Sequence, residues 1–98
     1  MTLQHEVADN DFLDAVLVEV AVARKKFPAP NPTLAALTEE VGELAKEMLH
    51  IREGKHKAIH GSQEWDRVVK EAIQVAVMAL RCATEGDETI GVTPPNRR

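Results

Sequence analysis

The sequence predicts an all-α protein of three main helices that form a helix bundle completed by oligomerisation. In three segments, apolar residues follow the periodicity of an α-helix. Clusters of proline and glycine separate these segments. Hydrophobic residues make up 44% of the chain but aromatic residues only 3%, which favours a core of aliphatic side chains on packed helices. We assign one domain to residues 1–88 and a mobile tail to residues 89–98.

The pattern of residues 11–27 predicts the first helix. Acidic residues begin this segment and basic residues end it, which is the charge order that a helix dipole favours. Within the segment, the run VLVEVAV (16–22) is rich in β-branched residues and could also form a buried strand. The apolar residues at helical spacing are Phe12, Val16, Val20, Ala23 and Phe27.

The second helix is expected to follow the run PAPNPT (28–33), with Asn31 as its N-cap and Pro32 at its first position. It should end at Gly54. Gly42 is unfavourable inside a helix and suggests that another backbone comes close there. One apolar arc contains Leu34, Leu37, Val41, Leu44, Met48 and Ile51, and a second arc of mostly smaller residues contains Ala35, Thr38, Gly42, Ala45 and Leu49.

The third helix should run from a cap at Ser62 to a stop at Gly86. Its apolar residues cover most of the helical circumference, so we expect it to be central and buried. A monomer of this size would leave part of that surface exposed to water. The sequence therefore predicts a homodimer or a homotetramer, built as a dimer of dimers.

Composition also excludes several classes of function. The formal net charge of −4 and the lack of a basic stripe argue against binding a nucleic acid polymer. The single cysteine, Cys82, cannot form an intrachain disulfide, and residues 1–10 do not resemble a secretory signal, so we expect a cytoplasmic protein. The longest apolar runs are too short for a membrane span.

Two polar pairs stand out on these helices. Glu40 and Glu43 lie on the second helix and Glu71 and Gln74 on the third, each pair three residues apart in a narrow polar wedge. If the helices pack side by side, the wedges can meet and offer the oxygen ligands that Mg²⁺ or Mn²⁺ requires. Alternatively, the glutamates of the second helix form a solvated face, Glu71 pairs with a neighbouring cation and Gln74 is a hydrogen-bonded core amide.

The order of these motifs resembles that of a known family. EEVGEL (39–44) followed by EAIQVAVMALRCATEGD (71–87) looks like the MazG-like all-α nucleoside triphosphate pyrophosphohydrolases, whose signature is ExxE on one helix and ExxD on the next. The resemblance covers about residues 34–87. It implies that the signature residues hold Mg²⁺ and that a metal-activated water cleaves an NTP or dNTP to the monophosphate and pyrophosphate. It also implies an oligomeric helical assembly.

Carried over by position, the resemblance makes Glu40, Glu43 and Glu71 catalytic metal ligands. Gln74 departs from the family pattern, because an amide stands where the family has Asp. An amide oxygen can still ligate Mg²⁺, but the site loses one negative charge and metal affinity should fall. The alternative function is therefore a catalytically weak or inactive MazG-like assembly or nucleotide-binding protein.

Candidate substrate-binding residues surround these acids. Basic groups could neutralise a triphosphate, but they could equally pair with glutamates. An aromatic ring could stack on a base, although a ring early in a helix is better explained as a core anchor. His56 and His60 have a spacing that could bind zinc but are better explained as solvated loop residues. The candidates are Lys46, Lys55, Arg67, Lys70 and Trp65, with Arg81 a further possible phosphate ligand.

Overall fold

Three long helices form the molecule, as the sequence predicts. The computed structural model describes residues 7–54 and 62–95, the side chains of residues 62 and 63 excepted. Helix α1 spans Asp9–Lys26, α2 spans Thr33–Glu53 and α3 spans Ser62–Glu85. A short 3-10 helix, Glu88–Ile90, follows. The described residues contain no β-strand, only one isolated bridge between Asp87 and Val92, so the strand alternative for the first segment is wrong.

Helix α3 is the central element, as predicted. It packs against both α1 and α2, whereas no Cα atom of α1 lies within 8 Å of one in α2 among the described residues. The core joins Val16 and Val20 of α1 to Val77 and Met78 of α3. The two outer helices therefore border a cleft whose floor is α3. None of the helices in the described ranges combines the length and hydropathy needed to cross a bilayer.

A single chain buries few of its large apolar side chains. The buried hydrophobic residues are Val16, Val20, Val68, Val69, Val77 and Met78. On α1, Leu13, Leu17 and Val18 are each more than half exposed, at 57%, 60% and 68%. The expectation that one chain leaves apolar surface in water is met, and the association that would cover it remains a prediction.

Helix α2 faces α3 with only part of its predicted apolar arc. Leu37, Leu44 and Ile51 are half-buried, whereas the neighbouring Leu34, Val41 and Met48 are exposed. The second, smaller-residue arc is exposed throughout its length. The expectation of a backbone close to Gly42 is wrong for the described chain, since no atom lies within 4 Å of the position a Cβ would take there.

The N-terminus of α2 is capped from the other end of the chain. The expected N-cap, Asn31, is wrong, because the helix begins at Thr33 after Pro32 and has no local side-chain cap. The amide of Leu34 instead donates to Asp87 Oδ2 at 3.1 Å, and Thr33 Oγ1 donates to the Gly86 carbonyl at 2.8 Å. The bond from Leu34 satisfies one of the backbone N–H groups that an α-helix leaves unpaired in its first turn, and the bond from the Thr33 side chain ties the same turn to the end of α3.

Asp87 holds its own turn in place as well. Its other carboxylate oxygen, Oδ1, accepts from the backbone amide of Thr89 at 3.0 Å and from the Thr89 hydroxyl. The hydrogen bond from Thr89 and the backbone amides around it keep the pKa of the Asp87 carboxyl below its ordinary value. Ile90 and Val92, in the first part of the predicted tail, line a small pocket together with Thr33 and Leu34 at the start of α2. The division into 1–88 and 89–98 stays a prediction.

A buried arginine joins α3 to the end of α1. Arg81 is 1% exposed and donates to both carboxylate oxygens of Glu85 at 2.9 Å and to the Phe27 carbonyl at 2.7 Å. Arg24 of α1 donates to the same carboxylate at 2.8 Å. The hydrogen bond from Arg81 lowers the pKa of Glu85, against the opposing effect of burial. Arg81 is thus engaged by Glu85, and its sequence-based assignment to a phosphate is not supported.

Candidate metal centre between the second and third helices

Two carboxylates from different helices meet where α2 packs on α3. Glu40 of α2 and Glu71 of α3 are both half-buried, and the Glu71 carboxyl group lies close enough to raise the pKa of Glu40. The pKa of Glu40 is raised, first by burial and then by the charge of Glu71 and the hydrogen bond between the two carboxyl groups. Glu39 and Glu43 add smaller effects in the same direction. Negative charge is thus concentrated at this contact.

The helical repeat explains how these side chains arrive there. Ala36 and Leu37 pack against the core, and Glu40 lies one turn further along the same side of α2. On α3, Gln74 lies one turn before the core residues Val77 and Met78. The contacts that build the hydrophobic core therefore also turn the two polar wedges toward each other.

An open cleft of about 390 Å³ adjoins this contact. It has the size of a small-molecule site. Glu19 of α1, Glu40 of α2 and Gln74 of α3 all border it, so each of the three helices contributes at least one polar group. The remaining lining residues are Ala23, Lys26, Phe27, Asn31, Pro32, Ala36, Met78 and Arg81.

The four residues of the predicted metal site do not all come together. Glu40 lies close to Glu71 and lines the cleft together with Gln74. Glu43 is exposed and does not line the cleft, but its charge contributes to the raised pKa of Glu40. Within the described ranges, no three His, Cys, Asp or Glu side chains lie at the spacing that would hold a metal ion. The carboxylates of Glu40 and Glu71 and the amide of Gln74 are nevertheless of the oxygen-ligand types that Mg²⁺ uses, since Mg²⁺ commonly binds one or two carboxylates and completes its shell with water and phosphate.

The candidate substrate-binding residues lie elsewhere on the same two helices. Arg67 and Trp65 are half-buried in the first half of α3, and Lys70 is exposed beside Glu71. Lys46 is exposed on α2, one turn after Glu43. Lys55, His56 and His60 lie outside the described residues.

The cleft contains residues that the sequence analysis did not select. Lys26, Phe27 and Asn31 come from the end of α1 and the connection to α2, and Glu19 comes from the middle of α1. One signal for Glu19 was available, since it is the only charged residue in the run VLVEVAV (16–22). No comparable signal marks Phe27 or Asn31, because their position depends on how the connection folds over α3.

Compared with known protein families, with curated protein sequences and with solved structures, the chain matches none of them.

Proposed function

We propose that this chain is a Mg²⁺-dependent nucleoside triphosphate pyrophosphohydrolase, which releases pyrophosphate from an NTP or dNTP and works as a homodimer or homotetramer. The observation that carries the proposal is the Glu40–Glu71 contact between α2 and α3. Two carboxylates in contact repel each other when both are ionised, and a divalent cation between them removes that repulsion. The motif order that resembles the MazG-like family gives the contact its chemical interpretation.

Each acidic residue has a distinct role in this proposal. Glu40 and Glu71 provide charged oxygen ligands from two helices, and Glu43 adds a third carboxylate. Gln74 is a weak, neutral fourth ligand on the cleft side. Bound Mg²⁺ would supply the activated water and the neutralisation of phosphate charge on which hydrolysis depends. Mn²⁺, which prefers the same kinds of ligand, is a suitable substitute.

The cleft beside Glu40 is the proposed place for the nucleotide. Its apolar lining of Ala23, Phe27 and Met78 can hold a base, and Lys26 places positive charge within the same cleft. Phe27 is 60% exposed, so its ring is accessible for stacking. Lys46, Lys55, Arg67, Lys70 and Trp65 stay candidates for contacts with the phosphates or base.

A pyrophosphate-release assay tests the proposal directly. Canonical and modified NTPs and dNTPs are incubated with the protein and Mg²⁺ or Mn²⁺, and pyrophosphate and nucleoside monophosphate are measured separately. We expect the two products in equal amounts with at least one substrate. Glu40→Gln and Glu71→Gln should each reduce the rate at least tenfold, because each removes a charged ligand.

Glu47→Gln is the matched control. Glu47 lies two turns after Glu40 on the same side of α2 and is also half-buried, so the two substitutions are comparable. Because Glu47 is not part of the proposed metal site, Glu47→Gln should leave the rate unchanged. Release of inorganic phosphate alone, or equal rates for the wild-type and the Glu40→Gln and Glu71→Gln variants, would contradict the proposal.

A second candidate function is nucleotide binding by an inactive or weakly active helical assembly. The observation in its favour is Gln74, an amide on the cleft where the family resemblance expects a carboxylate. Calorimetric titration with Mg²⁺ and a non-hydrolysable nucleotide analogue separates the two functions. Tight binding of the analogue with no pyrophosphate from any of the nucleotides would favour the binding protein.

A further inference from the structure

A continuous face of α2 is exposed and has the pattern of a helix–helix seam. Its central positions alternate steps of three and four along the helix, as in the core of a coiled coil. The large apolar residues flanking them, Leu34, Val41 and Met48, are 52%, 48% and 50% exposed. The seam consists of the five exposed residues Ala35, Thr38, Gly42, Ala45 and Leu49.

Nothing in the described chain covers this seam. Helix α2 packs on α3 with its other side, through Leu37, Leu44 and Ile51. At Gly42, the space around the missing Cβ is open. Glycine inside a helix costs about 1 kcal/mol relative to alanine, a cost that close approach of another backbone can offset. Thr38 is also prepared for burial, since its hydroxyl already donates to the Leu34 carbonyl at 2.9 Å.

The order of side chains along the seam is self-complementary when two copies run antiparallel. With Gly42 at the centre, Ala35 lies opposite Leu49 of the partner subunit, and Thr38 lies opposite Ala45 of the partner subunit. Within the seam, the large side chain of Leu49 thus meets the small Ala35. On one flank, Val41 meets the partner's Val41 and Leu34 meets the partner's Met48. This arrangement closes under a two-fold axis, as an isologous dimer requires.

The charges on the other flank select the same direction. Glu39 and Lys46 are exposed, lie seven residues apart and take part in no ion pair within the described ranges. Antiparallel packing places Glu39 beside Lys46 of the partner subunit, and the symmetry repeats this pair. Parallel packing would instead place this charged flank against the apolar flank of Leu34, Val41 and Met48.

We infer that the seam of α2 binds a second copy of this chain as an antiparallel, two-fold helix pair that crosses at Gly42. Two ion pairs between Glu39 and the partner's Lys46 border the contact. Glu40 lies on the side of α2 that faces α3, so the acidic pair and its cleft stay accessible in the dimer. The inference uses none of the acidic residues of the proposed metal site. It does use Lys46, a candidate for substrate contact, so its tests measure association and not activity.

Cysteine cross-linking tests the direction and the register together. In a Cys82→Ala background, Gly42→Cys should form a disulfide-linked dimer under mild oxidation, because the two-fold axis brings this position next to its own copy. Ala35→Cys and Leu49→Cys should not cross-link when each is alone, but an equimolar mixture of the two should. Glu88 is exposed and lies outside the seam, so the Glu88→Cys variant measures the background rate of disulfide cross-linking.

Two outcomes of this experiment would overturn the inference. A parallel pair would cross-link Ala35→Cys and Leu49→Cys each with itself. Another interface would leave Gly42→Cys at the background rate of Glu88→Cys. Circular dichroism of each reduced variant establishes that it is folded before oxidation.

Charge reversal provides a test without new thiols. Glu39→Lys and Lys46→Glu should each weaken self-association about tenfold, because two attractive pairs become repulsive. Mixing the two variants should restore the dimer as a heterodimer, and the Glu39→Lys/Lys46→Glu double variant should restore the homodimer. Lys25→Glu and Glu88→Lys, at exposed positions off the seam, should leave the association constant unchanged. If the mixture associates no more tightly than the single variants, the antiparallel pair is wrong.

Discussion

Glu40 combines burial, a carboxylate neighbour on another helix and a raised pKa. A group whose folded-state pKa is raised stabilises the fold below its unfolded pKa, here about 4.5, and loses that contribution as the pH rises through the folded value. At neutral pH and without metal, the Glu40–Glu71 contact therefore destabilises the protein. Any cation that binds there binds the folded state and stabilises it by mass action.

Replacing Glu40 with glutamine should remove this repulsion and so stabilise the metal-free protein. We expect Glu40→Gln to raise the metal-free Tm by about 2–4 °C at pH 7, since relief of about 0.5 kcal/mol moves the Tm of a domain this small by that much. Below pH 4.5, wild-type Glu40 binds a proton and the difference should disappear. Mg²⁺ should raise the Tm of the wild-type protein more than that of the variant.

Thermal melts in buffers from pH 4 to 8, with and without millimolar Mg²⁺, measure both effects. Glu47→Gln serves again as the control on the same side of α2. No change in Tm for Glu40→Gln, combined with no response of the wild type to Mg²⁺ or Mn²⁺, would mean that no metal binds and that the carboxylates are solvated.

A substitution of Gln74 tests whether the protein is an active hydrolase or an inactive one. Gln74→Asp adds a charged ligand next to Glu40, so in a metal site it should tighten Mg²⁺ binding and lower the Mg²⁺ concentration needed for pyrophosphate release. In an ordinary core position, the same change buries an unpaired charge at a cost of about 1–3 kcal/mol. Melts with and without Mg²⁺ distinguish the two cases, because destabilisation that Mg²⁺ does not rescue contradicts a metal site.

Among the elements, α1 is tied to α3 by a buried charged cluster as well as by the core. Glu85 accepts from Arg81 on its own helix and from Arg24 of α1, while Arg81 also bonds the Phe27 carbonyl after α1. The lowered pKa of Glu85 means that its stabilising effect is present above pH 4.5 and is lost as the pH falls through the folded value. This cluster fixes where the chain leaves α1 and so shapes the cleft.

Removing one member of this cluster should be costly. Glu85→Leu leaves Arg81 buried with no carboxylate partner, and loss of one half of a buried ion pair costs about 3–5 kcal/mol. The Arg81→Met/Glu85→Leu double variant should recover part of that loss, because it also removes the buried charge. Urea unfolding of the single and double variants measures both, and a double variant less stable than Glu85→Leu would contradict this account.

At the scale of the whole molecule, we expect association because one chain leaves much apolar surface in water. Among the residues that the structure describes, eleven large hydrophobic ones, from Leu13 to Val92, are exposed and six hydrophobic ones are buried. They occur on both α1 and α2, so two separate surfaces are available for packing. One interface gives a dimer, and two give the dimer of dimers that the sequence predicts.

Light scattering checks the association. We expect a particle of at least two chains at micromolar concentration, with a mass of 21.6 kDa or more from the chain mass of 10.8 kDa. Dilution should lower the Tm, because unfolding then also separates the subunits. A stable, folded particle of a single chain across the concentration range would remove the bundle prediction.

The sequence by itself determined the three helices, with their limits to within two residues. The predicted first segment, 11–27, is observed as Asp9–Lys26, and the predicted second helix ends at Gly54 as expected. Proline and glycine act on the backbone next to them, and apolar periodicity reports which residues share a side of a helix. Both signals are local, so they can be read from one chain without knowledge of its packing. The central place of α3 followed from the same evidence.

Only the tertiary structure decided how each helix is rotated about its axis, which residue caps α2 and which groups pair with the charged side chains. Helix α2 turns Leu37 toward α3 and leaves Val41 exposed, although both belong to one predicted arc. Asp87 rather than Asn31 supplies the side-chain acceptor at the start of α2, and Glu85 rather than a phosphate engages Arg81. Each choice depends on residues far apart in the chain, whose distance no local pattern contains. The contact of Glu40 with Glu71 is of the same kind, because it exists only once α2 packs on α3.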